Sequence, residues 1–180
     1  MIIEKNITIE DTSEVAKIAM SFYNWYIHGE KPKNWRPDAS MNEDSTVSFH
    51  NSETYLGLLK ELGTLSERFI EREKERMDEC GQYLTDTDWS EADHGSTYAY
   101  AEGPCEWLAY DYWFRSQEKP NKTELTKLDI QEKTAIAEID FYFQGSDGRK
   151  YKENYSVKEF LILTVNNGWR IDSISHSYLW

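Results

Sequence analysis

Between Arg76 and Arg115 the sequence has no lysine or arginine, yet it carries Asp78, Glu79, Asp86, Asp88, Glu91, Asp93, Glu102, Glu106 and Asp111. Interleaved with them are Tyr83, Trp89, Tyr98, Tyr100, Trp107, Tyr110, Tyr112, Trp113 and Phe114. Carboxylates without neighbouring cations set up a negative field that steers a basic partner, and rings beside them supply anchors that bury on contact. From Trp107 to Phe114 the simpler account is that the rings are core and the acids solvated. From Tyr83 to Tyr100 there is no clean period, and Asp, Ser, Thr and Gly are frequent, which predicts a long loop of the kind that carries function. The expected partner-binding face is therefore Asp86, Asp88, Trp89, Glu91, Asp93, Tyr98 and Tyr100. The plainer alternative is a solvated loop.

Other chemistry is harder to assemble. DTDWSEAD spaces its acids somewhat like a calcium loop, but Glu91 stands where the sharp turn needs glycine, and no glutamate follows at the twelfth position. No metal and no cofactor are expected. Four histidines are present. His28 closes a helix, where a cation suits the dipole, and His50 and His94 read as loop residues. His176 shares the parity of Arg170, Asp172, Ile174 and Tyr178 on a terminal strand. If that face lines a pocket, His176 and Tyr178 stand beside Asp111 and Tyr112 as acid–base and polarising groups. The plainer reading of His176 is an ordinary sheet-surface histidine. Neither a glycine-rich phosphate loop nor a nucleophile elbow is present.

The elements that must position these residues follow from periodicity. TSEVAKIAMSFYNWYIHG places Val15, Ile18, Ala19, Phe22, Trp25 and Tyr26 at helical spacing, with Asp11 or Thr12 as cap and Gly29 as stop. EKPKNWRPDASMNEDS reads as loop. ETYLGLLKELG predicts a second helix with Tyr55, Leu58, Leu59 and Leu62 on one side, ended by Gly63. LSERFIEREKERMDEC predicts a third, with Ser66 as cap, Leu65, Phe69, Ile70 and Met77 inward, and Glu71 to Arg76 as a solvated, ion-paired face. After Lys122 the period drops to two. TAIAEIDFYF places Ala135, Ala137, Ile139, Phe141 and Phe143 on one side, GSDG turns the chain, and YSVKEFLILTV and WRIDSISHSYL join through NNG. ELTKLDIQ is a weaker strand before them. Trp169 and Ile171 are expected to point into the core. Helices first and an antiparallel meander last predict an α+β fold, with N-terminal helices packed on one face of a curved sheet.

The chain has 180 residues, with 39% hydrophobic and 14% aromatic, enough apolar area for a single domain over 1–180. Its net charge of −13 disfavours nucleic acid and anionic membrane surfaces as partners and favours a basic protein. No apolar run is long enough to span a bilayer, and the start has no secretory pattern. That predicts a cytoplasmic protein, or a periplasmic one if a leader has been removed. Cys80 and Cys105 are one disulfide in an oxidising compartment or two thiols in cytosol, and the missing leader favours thiols.

The stretches FLILTVNNGWRIDSI, YLGLLKELGTLSERFI and DYWFRSQEKPN, with TAIAEIDFYF, make the chain resemble the nuclear transport factor 2-like superfamily, and its small bacterial branch in particular. The resemblance implies a cone-shaped, cystatin-like α+β roll around a pocket. The superfamily holds lyase- and isomerase-type enzymes, ligand-binding domains and immunity proteins, so fold alone does not choose among them. The acidic, aromatic stretch selects the immunity-protein expectation: a non-enzymatic protein that occludes the cleft of a basic bacterial toxin. The alternative is a small-ligand-binding or lyase/isomerase-type enzyme using the sheet pocket. Pairing through an open sheet face, as relatives do, implies a homodimer.

Overall fold

The first described element is the helix that its apolar spacing predicts, α1 (Ile9–His28). The computed structural model describes residues 9–92, 100–114, 120–131, 133–164 and 168–178, with side chains outside 9–11, 151–164 and 176–178. After α1 come a hairpin of β1 (Asp38–Met41) and β2 (Val47–His50), then α2 (Ser52–Leu62) and α3 (Glu67–Asp86). A 3-10 helix at Gly103–Ala109 precedes β3 (Lys122–Ile130), β4 (Thr134–Gln144), β5 (Lys150–Thr164) and β6 (Gly168–Tyr178). Both sheets are antiparallel, and the larger runs β3-β4-β5-β6 in sequence order. The fold is α+β, as the change of period predicts. The described chain forms two compact units, each discontinuous in sequence.

The first unit comprises Met1–Glu30, Leu62–Phe69 and Lys119–Trp180. Here α1 lies across all four strands of the large sheet. Val15, Ala19, Phe22, Tyr23 and Tyr26 are buried on α1, and Ala135, Ala137, Ile139 and Phe141 on β4. Small alanines in mid-strand leave depth for the rings of the helix, and Tyr23 meets Phe141 edge-on at 4.8 Å. Trp169 and Ile171 are buried as expected.

Of the three irregularities among the described residues of the large sheet, two shift the alternation of a strand by one residue. On β3, Leu125 pairs with Ile139 and Lys127 with Glu138, so Thr126 is an extra residue. Leu125 and Leu128 lie three apart, a spacing that a regular strand would split between its faces. The bulge puts both opposite buried positions of β4 and leaves Lys122, Glu124, Lys127 and Asp129 opposite the other set. Deleting Thr126 is expected to cost about 2 kcal/mol, because either Leu125 or the Leu128–Ile130 pair must change face. Urea unfolding checks this, and a loss below about 0.5 kcal/mol would show that the bulge is dispensable.

On β6 the extra residue is Asp172, between the pairs Leu161–Ile171 and Phe160–Ser173. The alternation is broken there, so Arg170 and His176 do not share the parity that the sequence pattern assigns them. Asp172 is buried at the start of α3, where Ser66 Oγ donates to it at 2.8 Å and Arg68 pairs with it at 2.6 Å. Ser66 Oγ also accepts from the Phe69 amide at 3.0 Å, the cap expected from its position. Residues 64–66 bind Ile171 through Ile171 N–H to Thr64 O and Ser66 N–H to Ile171 O, both at 2.9 Å.

The second unit comprises Lys31–Glu61 and Ile70–Glu118. Part of the stretch expected to be loop is instead the β1–β2 hairpin. Its strands are four residues each, too short for a clear alternation, and side chains hold its turn: the Asn42 amide donates to Thr46 and Ser48. Tyr55, Leu56 and Leu59 are buried on α2, and Gly63, at φ +69°, ends it. On α3 Met77, Cys80 and Leu84 are buried, and the helix runs six residues past the expected end at Cys80. Cys80 is bonded to Cys105, which corrects the expectation of two thiols: the fold brings their Cα atoms to 4.9 Å, within reach of a disulfide.

Candidate functional site

The acidic stretch is built on the end of α3, the turn after it and the 3-10 helix, which the disulfide ties together. Cys80 and Cys105 are both fully buried. Helical spacing turns Asp78, Glu79 and Asp86 outward while Met77, Cys80 and Leu84 turn in. Gly103, at φ +54°, brings the incoming chain against the Tyr83 ring, and Glu102 and Glu106 are exposed beside Cys105.

Of the expected partner-binding residues, Asp86, Asp88 and Glu91 are exposed. Asp86 accepts from the Gln82 amide at 2.7 Å. Asp88 accepts from the Ser90 backbone amide at 3.0 Å, and hydrogen bonds from Ser90 hold its carboxyl below the usual carboxylate range. Among the described residues, no lysine or arginine pairs with Glu79, Asp86, Asp88, Glu91, Glu102 or Glu106, whereas Asp78 pairs with Lys74. Asp93 and Tyr98 lie outside the described residues.

Trp89 and Tyr100 are not surface anchors. Trp89 is 6% exposed and Tyr100 7%. The Trp89 indole N–H donates to the Leu84 carbonyl at 2.8 Å, so this ring caps the end of α3. The Tyr83 and Tyr100 rings flank it edge-on at 6.0 and 6.3 Å. The Tyr100 hydroxyl donates to Ala39 O on β1. Burial, then the Asp38 carboxylate, pushes that phenol up. These rings form a satellite core beneath the carboxylates, because their apolar area is worth more inside than in water. Tyr83, half-buried above Gly103, is the ring of this group that reaches solvent.

The residues of the alternative pocket come from both units. Asp111 is buried in the second unit and binds Arg36 at 2.6 Å. Tyr112 stacks on the Arg76 guanidinium at 3.8 Å. His176 and Tyr178 belong to β6 of the first unit, where they pair with Val157 and Tyr155, and their side chains lie outside the described set. His50 is on β2 rather than in a loop, and its Nε2 meets Ser40 Oγ at 2.7 Å. Both are exposed on a two-stranded ribbon, where water competes for the contact, so it pins the hairpin and leaves the hydroxyl unactivated. Among the described residues no group of acids, histidines or cysteines is placed to hold a metal ion.

Sequence reasoning missed one arrangement. Glu73 and Arg76, expected on the solvated face of α3, are an ion pair turned inward, with side chains 8% and 17% exposed. Tyr55 donates its hydroxyl to Glu73 at 3.0 Å and accepts from the Trp113 indole at 2.9 Å. The guanidinium lies between Tyr112 and Trp107, at 3.8 and 4.5 Å from their centroids. Burial alone lowers the Arg76 pKa, but the Glu73 carboxylate, then Tyr55 and Tyr112, more than offset it. The signal was available: Glu73 stands four residues after Phe69 and four before Met77, on the buried stripe.

No family model, curated protein or solved structure matches the chain. Among the described residues, no helix is long and apolar enough to cross a membrane.

Proposed function

We propose that the chain is a non-enzymatic binding protein whose second unit presents a fixed anionic surface to a basic protein partner. The observation that carries this reading is the set of six exposed carboxylates with no lysine or arginine ion-paired to them among the described residues, mounted on a frame held by a disulfide. Such a surface speeds encounter by electrostatic steering and covers a cationic cleft without chemistry of its own. An immunity protein that blocks a basic toxin fits this description. The order of helices followed by an antiparallel meander supports the nuclear transport factor 2-like resemblance. Trp89 and Tyr100 drop out as anchors, and Tyr83 takes that place. The enzyme alternative has no comparable observation, since Arg36 occupies Asp111.

Affinity purification from the native host at low salt is expected to recover a basic protein. Its association with the Asp86→Asn, Asp88→Asn, Glu91→Gln chain should be about tenfold slower and far less sensitive to salt. An unchanged rate, or a partner without net positive charge, overturns the proposal.

A further inference from the structure

We propose that the Cys80–Cys105 bond is a permanent clamp, acquired in an oxidising compartment, that holds the acidic segment in its binding shape. Folding brings the two Cα atoms to 4.9 Å, and both side chains are fully buried, with 25 residues separating them in sequence. That interval carries Asp86, Asp88, Glu91 and Glu102. One anchor of the bond is the long helix α3. The other is a seven-residue 3-10 helix whose first residue receives no side-chain cap. Helices of that type have poor hydrogen-bond geometry and rarely persist at this length unaided. The covalent link therefore supplies the order that the local backbone lacks. Burial also sets the mode of action: a thiolate cannot reach sulfurs that solvent does not touch, so the bond acts as a clamp and not as a switch. Its formation takes two electrons and two protons from the thiols, delivered by two exchange steps to the disulfide of an oxidoreductase, which leaves as a dithiol. The consequence for binding rests on the reading above, whereas the clamp itself does not.

Acid quenching of the native host, followed by denaturation and maleimide–polyethylene glycol labelling, reads the bond directly. The expected result is no label before reduction and label on both cysteines after it. Label before reduction overturns the inference. A Cys80→Ser, Cys105→Ser chain adds a second readout. Amide exchange over residues 103–109 should rise at least about tenfold while that over 135–141 stays unchanged. No rise, or an equal rise in both, overturns the clamp. Thiols labelled beside an intact salt-dependent complex strike the clamp alone. A bonded chain with no basic partner strikes the binding reading alone.

Discussion

Replacing Glu73 by alanine is expected to lower the free energy of unfolding by about 3–5 kcal/mol. The loss is large because of what stays behind. Arg76, with a side chain 17% exposed, keeps its charge between two rings and loses its carboxylate partner. The Tyr55 hydroxyl loses its acceptor as well. Two controls separate charge from packing. Glu73→Gln keeps the shape and one acceptor oxygen, so it should fall between wild type and alanine. The double change Glu73→Leu, Arg76→Met removes both charges, and it should recover most of the loss, since a buried pair is rarely better than well-packed apolar groups. Chemical unfolding measures all three. An alanine variant within about 1 kcal/mol of wild type would mean that water reaches the pair.

Phe141→Ala is expected to cost about 3–5 kcal/mol in the first unit. Phe141 is 1% exposed and packs edge-on against Tyr23, itself fully buried. Truncation leaves a cavity bounded by a helix and a sheet, neither of which can collapse into it freely. The same change at Phe143 makes the sharper test. Alternation puts Phe143 with Phe141, yet Phe143, next to the last residue of β4, is only half-buried. Its loss should stay near 1 kcal/mol. Equal costs at the two positions would contradict the packing described.

The elements that the sequence exposes most clearly are those with long, uninterrupted periods. The faces of α1 and β4, the Ser66 cap and the inward turn of Trp169 and Ile171 all follow from spacing, because a buried face repeats with the backbone. Legibility fails wherever one residue breaks the repeat. Thr126 and Asp172 each shift the alternation by one, and no local preference announces them. Short β1 and β2 carry too few residues to show a period. Charge misleads in another way: Glu73 and Arg76 hide on an apolar stripe because each neutralises the other. At the candidate site the carboxylates were legible, since acids without cationic neighbours stay in water. The rings between them were not. Whether a tryptophan faces out or in depends on partners such as Leu84 O, which lies five residues back and on another element.

The bulge at Thr126 also breaks the step of the outer edge of β3. β3 pairs only with β4 among the described strands, so its far side has a row of backbone donors and acceptors. A foreign strand laid along it loses step at residue 126, where the Thr126 hydroxyl already turns back to the Glu138 carbonyl at 3.1 Å. Runs of matched rungs on either side are too short to template fibril growth. A break of this kind is one of the devices by which natural sheet edges resist edge-to-edge pairing.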